Sequence, residues 1–450
     1  MTSMVCSHIV HQAVFMIPGV LLMLLFLALP VSVAGSDSLE SSYHTIDIEY
    51  PDIITPEIYW QKCLNGPITD SSYIIQQTSD GGYLLIGRPD SSGENGTDSR
   101  QNPGYWIVKQ SPGGEIVWQK SYRGSGWQSP DILSQTESCG YAYGGKFGPG
   151  EKNATINQSM NTSWIIKLTR EGLISWEKSL DTPNHEEIHS IQQTRDSGYI
   201  VSGSIRFPDG LHTPSRSDRD IWIAKLTSSG DLIWKKTFGG TKDDLGYSIR
   251  QTIDGGYIMA GASASHDGDV SGNHGDLDYW IVKLTPGVEI TWQKCFGGSQ
   301  NDIPYFIQQL SDGGYIIAGA SASDDGDVSG NHGELDYWIV KLSPGGDLAW
   351  QRCLGGKGID EAKSIRQTRD GGYIVAGGSA SDDGDVTGNH GDSDYWIVKL
   401  GPDGGLKWEK SLGGSMYDSG ESILQTNDGG YIIAGITLSE DIDIAGNREK

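Results

Sequence analysis

A unit of 58 residues recurs along this chain of 450 residues and constrains its fold more than any other feature. Three aromatic positions keep this interval without a gap. They are the series Trp60, Trp118, Trp176, Trp234, Trp292, Trp350 and Trp408, the series Trp106, Trp164, Trp222, Trp280, Trp338 and Trp396, and the series Tyr83, Tyr141, Tyr199, Tyr257, Tyr315, Tyr373 and Tyr431. Periods of this kind mark solenoids and propellers, in which each copy is one supersecondary unit. The sequence therefore predicts seven copies of one unit.

Each unit offers four short strand candidates, and none is long enough for an ordinary helix. In the fourth copy they cover residues 246–252, 256–262, 279–284 and 289–296. Asp254-Gly255, between the first two, tolerates the positive φ of a tight hairpin. Residues 279–284 hardly alternate between polar and apolar, which indicates a strand covered on both faces. We therefore predict an all-β, seven-bladed β-propeller with four antiparallel strands per blade, and an open solenoid is the alternative.

The last unit lacks its third and fourth strands. It contains strand candidates at residues 422–425 and 430–436, and the sequence then ends at Lys450, before the next tryptophan of the series is due. Two further strand candidates, residues 44–50 and 57–63, precede the first complete unit. We expect these N-terminal strands to pair with residues 430–436 and to close the last blade, which leaves no free sheet edge. The propeller is then expected to span residues 44–450.

An apolar run over residues 13–34 ends in Ser32-Val33-Ala34. Small residues at these positions are typical of a secretory signal cleaved after Ala34. No Lys or Arg precedes the run, however, and it is long enough to span a bilayer, so an uncleaved N-terminal membrane anchor is the alternative. Both interpretations place the linker at 35–43 and the propeller outside the cytoplasm. We therefore expect a secreted or cell-surface protein.

Acidic residues outnumber basic ones by 58 to 33, and the formal net charge is −25. This charge repels phosphate backbones and anionic lipids, so nucleic acid is excluded as a partner, and membrane contact is expected only through an uncleaved N-terminal segment. Divalent cations are a more natural counterpart. The five cysteines are an odd number, and Cys63, Cys295 and Cys353 share one repeat position that Ser or Thr fills elsewhere. We expect partly buried free thiols, with a disulfide between neighbouring units or a metal role as alternatives.

One long loop carries the spacing of a calcium-binding EF-hand loop. In the fourth copy it runs from Asp267 to Asp278, with oxygen-bearing residues at loop positions 1, 3 and 5, Gly272 at position 6 and a carboxylate at position 12. The fifth and sixth copies repeat it. The predicted Ca²⁺ ligands are Asp267, Asp269, Ser271, Asn273 and Asp278, then Asp325, Asp327, Ser329, Asn331 and Asp336, then Asp383, Asp385, Thr387, Asn389 and Asp394. A polar Asp/Gly turn that binds no metal is the alternative. His274, His332 and His390 of these loops are expected to face solvent.

Other polar motifs lie on the same face of the predicted propeller. The interblade links contain aspartates at one repeat position, Asp244, Asp302, Asp360 and Asp418. They could line the channel mouth as a ring of carboxylates, or they could cap local backbone turns. In the first two copies the long loop instead carries N-glycosylation patterns at Asn95, Asn153, Asn157 and Asn161. Trp127 lies outside both tryptophan series and is the best single aromatic candidate for a ligand contact.

The repeat, with its motifs DGGYI and DYWI followed by a Trp, resembles the secreted β-propeller repeat proteins of bacteria and archaea. Its acidic loops resemble the calcium loops of dockerin-like modules. The resemblance covers nearly all of residues 44–450 and implies the fold and an extracellular location. It implies no particular reaction.

No HExxH motif, P-loop, nucleophile elbow or dinucleotide fingerprint occurs in the sequence. The periodic tryptophans are explained by packing between blades rather than by a sugar-binding platform. We therefore expect a non-enzymatic binding, adhesion or structural module for an extracellular protein or carbohydrate ligand, stabilised by calcium. The alternative is a secreted hydrolase or lyase that acts on polysaccharide at the channel mouth.

Overall fold

The structure is a computed structural model that describes residues 4–11, 57–64, 74–87, 105–122, 132–136, 140–147, 162–180, 185–206, 219–439 and 441–443. These residues form 28 strands and no helix, so the described part of the chain contains no helix that could cross a membrane. The strands assemble into four-stranded antiparallel sheets arranged as a β-propeller.

Six blades are each built from four consecutive strands. The first blade consists of β3 (Ile74–Gln77), β4 (Tyr83–Gly87), β5 (Tyr105–Gln110) and β6 (Ile116–Tyr122), and the second of β7 (Ile132–Gln135), β8 (Tyr141–Phe147), β9 (Thr162–Leu168) and β10 (Ile174–Ser179). The third consists of β11 (His185–Gln193), β12 (Tyr199–Arg206), β13 (Arg219–Leu226) and β14 (Leu232–Phe238), and the fourth of β15 (Asp244–Gln251), β16 (Tyr257–Ser263), β17 (Asp278–Leu284) and β18 (Ile290–Phe296). The fifth consists of β19 (Asp302–Gln309), β20 (Tyr315–Ser321), β21 (Asp336–Leu342) and β22 (Leu348–Leu354), and the sixth of β23 (Asp360–Gln367), β24 (Tyr373–Ser379), β25 (Asp394–Leu400) and β26 (Leu406–Leu412).

The predicted seven-bladed propeller, closed by residues 44–50 and 57–63, is wrong: six blades, not seven, consist of consecutive strands. The last two repeat strands, β27 (Asp418–Gln425) and β28 (Tyr431–Thr437), lie instead in a composite sheet with β1 (Met4–His11) and β2 (Glu57–Leu64), in the order β27-β28-β1-β2. We call it the closing sheet. Strand β2 contains residues 57–63 and is the outer strand of this sheet, as predicted. The strand beside β28 is β1 instead of the predicted residues 44–50.

Periodicity could not have identified β1, because this strand carries none of the repeat motifs and lies inside the segment predicted as a leader, residues 1–34. It pairs antiparallel with β28 from Met4 opposite Thr437 to Val10 opposite Tyr431. Residues 44–50 lie outside the described residues.

The hydrophobic core lies between neighbouring blades. On β16, Tyr257 and Met259 belong to a cluster with third-blade residues such as Ile221, whereas Ile258 and Ala260 belong to a cluster with fifth-blade residues. Every residue of β16 is buried, as expected for a strand covered on both faces. This arrangement explains why the sequence of the central strands does not alternate.

The periodic aromatic residues pack across the interfaces between blades. In the fourth blade, the Trp292 ring lies 5.9 Å from that of Tyr315 in the fifth, in an edge-to-face arrangement. A Cβ atom on Gly346 would lie 3.0 Å from three atoms of Trp292, and Gly346 has a φ of 83°. The turn after β21 therefore requires glycine for its backbone conformation and for its close approach to the tryptophan. The prediction that the tryptophans serve core packing is confirmed here.

Candidate functional site in the axial channel

A β-bulge interrupts the first strand at one repeat position in the third to sixth blades and in the closing sheet. The bulged residues are His189, Tyr247, Tyr305, Lys363 and Glu421. The first strand of each sheet lies beside the first strand of the next, so these strands form the innermost ring of the propeller. A bulge redirects a side chain out of the regular ladder and is common beside functional sites. Here the bulges bring five side chains of four chemical types together along the propeller axis.

Three of these side chains form a continuous aromatic row. The His189 ring lies 5.9 Å from the Tyr247 ring, and the Tyr247 ring lies 5.6 Å from the Tyr305 ring, both nearly perpendicular. These contacts join the third, fourth and fifth blades. All three residues are half-buried. The row therefore presents aromatic surface to the channel without being sealed in the core.

An ionic network continues the row into the sixth blade. Tyr305 Oη donates a hydrogen bond of 2.7 Å to Glu361 Oε1, and Lys363 Nζ donates one of 2.9 Å to Glu361 Oε2. The same Lys363 Nζ lies 3.9 Å from the centroid of the Tyr305 ring, which is a close cation–π contact. Glu421, on the next first strand, accepts a hydrogen bond of 3.1 Å from Ser419 Oγ.

The pKa values of the two glutamates in this cluster are shifted in opposite directions. Burial raises the pKa of Glu361, but Lys363 and the hydrogen bonds from Tyr305 and Lys363 lower it by more, so its pKa lies below the usual value. Burial is the main reason why the pKa of Glu421 is raised, with a further contribution from the charge of Glu361. The pKa of Tyr305 is raised by burial and by Glu361. At neutral pH the cluster therefore holds an ionised Glu361 beside a neutral phenol.

The predicted calcium loops form local hydrogen bonds instead of converging on one point. Asp267 Oδ1 accepts a hydrogen bond of 2.7 Å from Thr241 N in the preceding link, and its Oδ2 accepts one of 3.0 Å from Thr241 Oγ1. Asp269 Oδ2 accepts one of 3.3 Å from Gly239 N. Ser271 Oγ accepts a hydrogen bond from Gln293. These carboxylates face the interblade link.

The remaining predicted ligands of this loop are also engaged. Asn273 Nδ2 donates to the Ser263 carbonyl at 2.5 Å. Asp278 is buried, and its Oδ2 accepts a hydrogen bond of 2.8 Å from His274 N and lies 2.8 Å from His274 Nδ1. His332 and His390 pair with Asp336 and Asp394 in the same way.

The fifth and sixth blades repeat these contacts closely. Asp325 Oδ1 accepts from Ser299 N at 2.7 Å, and Asp383 Oδ1 accepts from Lys357 N at 2.9 Å. In the part of the chain that the structure describes, no three His, Cys, Asp or Glu side chains are arranged to hold a metal ion. The residues do not fit an EF-hand-like ion site in this arrangement. Calcium binding by the loops stays a prediction and would require the aspartates to leave their present partners.

The predicted channel-mouth aspartates lie buried inside the links. Asp302 Oδ2 accepts hydrogen bonds from Gly298 N at 2.8 Å and from Ser323 Oγ at 3.0 Å. The other members of this set are also fully buried, and each accepts a hydrogen bond from the second glycine of its link: Asp244, Asp360 and Asp418. This arrangement agrees with the alternative interpretation, in which the carboxylates cap local backbone turns.

Buried aspartates also meet in pairs at the blade junctions. A Cβ atom on Gly297 would lie 2.5 Å from Asp302 Oδ2 and 2.7 Å from Asp278 Oδ1. Asp278 Oδ1 is buried and has no hydrogen-bond partner among the described residues. Burial raises the pKa of Asp302 to about 6, and the charge of Asp278 adds to this effect. At this blade junction, two buried carboxyl groups therefore lie so close together that ionisation of one disfavours ionisation of the other.

The remaining predicted residues are the cysteines, the glycosylation patterns and Trp127. Cys295 and Cys353 are free thiols, as predicted, and burial raises their pKa. The side chain of Cys63, the sequons at Asn95, Asn153, Asn157 and Asn161, and Trp127 lie outside the described residues.

Sequence reasoning missed the axial cluster, although a signal for it exists. Most positions of the repeat hold the same residue in successive copies, whereas the bulge position holds His189, Tyr247, Tyr305, Lys363 and Glu421 in five consecutive copies. When the residue type at one repeat position differs between copies while the neighbouring positions stay the same, the side chain at that position is not required for the packing that all copies share. Finding it required knowledge of which strand is innermost.

Comparisons with solved structures find only distant likenesses. The chain is similar to the Pan2 WD40 domain of Neurospora crassa, with 10% identity, 84% of this chain and 91% of that chain covered, and a TM-score of 0.44. It is similar to a polysaccharide lyase of family PL25, an ulvan lyase, with 10% identity, 77% and 82% coverage and a TM-score of 0.47. A third similar structure is the Hadza microbial sialidase Hz136, with 9% identity, 96% and 90% coverage and a TM-score of 0.39. No protein-family model and no curated protein matches the chain. Nothing about activity follows from likenesses this distant.

Proposed function

We propose that this protein is a non-enzymatic binding module that works outside the cytoplasm and takes a carbohydrate ligand into its axial channel. The observation that carries the proposal is the cluster of bulged residues on the innermost strands, from His189 to Glu421. Aromatic rings, a lysine and carboxylates together offer apolar faces and hydrogen-bond partners, as sites for polar small ligands require. The extracellular location is a separate part of the proposal, supported by the apolar run at residues 13–34 and by the resemblance to secreted propeller repeat proteins. Cleavage after Ala34 would remove β1 (Met4–His11), so the closing sheet of the secreted form would lack this strand.

Binding is favoured over catalysis by the state of the candidate catalytic groups. Glu361 is hydrogen-bonded to both Tyr305 and Lys363, which stabilises its charged form and weakens it as a base. The pKa of Tyr305 is raised, so its phenolate is not available near neutral pH. Cys295 and Cys353 are buried with raised pKa values, and a nucleophilic cysteine needs the opposite.

A glycan array probed with the full chain tests the proposal. We expect binding to at least one saccharide class, followed by a loss of affinity of at least about tenfold in Tyr305→Ala or Lys363→Met, because each removes a channel-lining contact worth roughly 1.4 kcal/mol or more. Lys294→Met is the matched control, since Lys294 pairs with Asp347 on the outside of the propeller. Saccharide binding that both channel variants retain at wild-type affinity would contradict the axial site.

The opposite pKa shifts of Glu361 and Glu421 favour one second candidate, a polysaccharide hydrolase. Two carboxyl groups whose environments push their pKa values apart are the usual acid and base of glycoside hydrolysis. In that case Glu421 would be the acid and Glu361 the base or nucleophile. Release of reducing ends from polysaccharides, lost in Glu421→Gln and in Glu361→Gln, would establish this function. Saccharide binding without any product would exclude it.

A further inference from the structure

Two half-buried arginines lie on the innermost strands of alternate blades. Arg250 on β15 and Arg366 on β23 occupy the same position of the first strand, and in the blade between them that position is Gln308. Phe306, on the intervening strand β19, contacts both arginines. Its ring centroid is 5.0 Å from Arg250 Cζ and 4.1 Å from Arg366 Cζ. Both guanidinium groups therefore belong to one cluster around a single aromatic ring.

Neither guanidinium forms an ion pair with a described Asp or Glu. Arg250 Nη1 donates to the Ile249 carbonyl at 2.8 Å and to Ser190 Oγ at 3.2 Å, and Arg366 Nη1 donates to the Ile365 carbonyl at 2.9 Å. All of these acceptors are neutral. An arginine has five N–H donors in a fixed fork that matches carboxylate, sulfate and phosphate groups. Within the described part of the chain, most of these donors are left for another partner.

The lysines of the third strands, by contrast, have acidic partners. Lys109, Lys225, Lys283, Lys341 and Lys399, on the third strands, each pair with the aspartate of a hairpin turn at 2.8–3.0 Å. The chain has 58 acidic residues available to neutralise 33 basic ones. Burial lowers the pKa of Arg250 to about 10, and burial together with the charge of Arg250 lowers that of Arg366 to about 9. Two mutually repelling cations without an acidic neighbour are costly unless an anion joins them.

We propose that Arg250 and Arg366 form an anion-binding subsite that holds one carboxylate or sulfate group of an acidic saccharide in the channel, beside the ring of Phe306. The inference deepens the proposed function and rests on it, since the same channel takes the saccharide. An anionic group bound within this cluster would accept hydrogen bonds from a guanidinium fork and would offset the repulsion between the two arginines. The subsite thus selects acidic saccharides over neutral ones.

Calorimetry on the full chain at low ionic strength tests this subsite with three probes: inorganic sulfate, a trisaccharide of galacturonic acid, and the neutral galactose trisaccharide. We expect the acidic trisaccharide to bind at least about tenfold more tightly than the neutral one. The double variant Arg250→Gln/Arg366→Gln should remove that difference and abolish saturable sulfate binding. Glutamine already occupies this position in Gln192 and Gln308, so the double variant is expected to fold. Lys294→Gln is the control for charge removal elsewhere.

The same double variant gives a second readout without a ligand. Removing two repelling charges should raise the melting temperature at low salt, and added sulfate should raise that of the wild type but not that of the variant. Equal affinity for the acidic and neutral trisaccharides, with binding still lost in Tyr305→Ala, would overturn the subsite and leave the proposed function intact. Sulfate binding that depends on both arginines, without any saccharide binding, would overturn the proposed function and the saccharide ligand while retaining an anion site.

Discussion

Tyr305 in the fifth blade donates a hydrogen bond of 2.7 Å to Glu361 in the sixth. This contact joins two blades at the propeller axis rather than through the apolar interface. Lys363 contacts both residues, since it donates to Glu361 and lies over the Tyr305 ring. The three side chains form one network, so the loss of one removes contacts of the other two.

Replacing Tyr305 by Phe should destabilise the protein and should make the ionised form of Glu361 less favourable relative to its protonated form. Loss of a hydrogen bond to a charged acceptor costs about 1.5–3 kcal/mol of unfolding free energy. The same loss should raise the pKa of Glu361, because the phenol is one of the groups that lower it. Urea denaturation and NMR titration of the glutamate carboxyls measure both effects. An unchanged pKa of Glu361 in Tyr305→Phe would argue against this coupling.

Ser197→Gly should stabilise the protein. Ser197 has a φ of 62° in the turn between β11 and β12, where the corresponding residues Gly81, Gly255, Gly313, Gly371 and Gly429 all have positive φ. A left-handed conformation costs a non-glycine residue roughly 1–2 kcal/mol, so removing the side chain should regain about 1 kcal/mol. Gly255→Ser is the matched reverse substitution and should lose a similar amount. Equal stability of both variants and the wild type, measured by urea denaturation, would show that the turn relaxes.

Stability should fall as the pH rises through about 6. The folded pKa of Asp302, Asp336 and Asp394 is raised to about 6 from 3.8, mainly by burial, so folding favours their protonated forms. Their contribution is fully present below the unfolded pKa and is lost as the pH rises through the folded pKa, at a cost on the order of 2 kcal/mol per group. Unfolding free energies at pH 4.5 and pH 7.5 measure the loss.

Asp302→Asn provides the control for this pH dependence. Asparagine keeps an oxygen acceptor for the Gly298 amide but does not titrate, so the variant should show a smaller loss between the two pH values. Asp196 and Asp254 act in the opposite direction. Burial raises their pKa, but lysine partners and turn hydrogen bonds lower it by more, to about 2, so their contribution disappears only below pH 4. A slope that Asp302→Asn leaves unchanged would assign the pH dependence to other groups.

Asp325→Ala should destabilise the protein even in the presence of EDTA. The Asp325 carboxylate accepts a hydrogen bond of 2.7 Å from the Ser299 amide of the interblade link, and loss of such a hydrogen bond costs about 1 kcal/mol. Ser329→Ala is the matched control, because Ser329 belongs to the same predicted ion site but caps no link. The calcium prediction adds a separate requirement, namely that millimolar calcium raises the melting temperature of the wild type by more than that of either variant, because the loops of the fourth and sixth blades remain intact. Calcium stabilisation of Asp325→Ala equal to that of the wild type would assign the effect to another site.

The sequence by itself determined the repeated unit, its strands and its turns. The predicted strands of the fourth copy, residues 246–252, 256–262, 279–284 and 289–296, differ from β15 to β18 by at most two residues at each end. Asp254-Gly255 forms the expected turn, with Gly255 at a φ of 83°. These features depend on local conformational preferences and on a burial pattern that every copy repeats, so seven copies reinforce one signal.

Only the tertiary structure decided what the copies do not share. Strand β1 in the closing sheet is specified by the free edge of β28 and carries no repeat motif. The row from His189 to Tyr305, the hydrogen bond from Tyr305 to Glu361, and the contacts of Arg250 and Arg366 with Phe306 join residues about 58 positions apart, which meet only because the innermost strands form a ring. The predicted calcium ligands show the same limit: their spacing is correct for a loop around an ion, but the neighbouring interblade link offers backbone amides that bind the carboxylates first. Spacing along the chain reveals which groups could converge, whereas the partners that compete for them are brought by the fold.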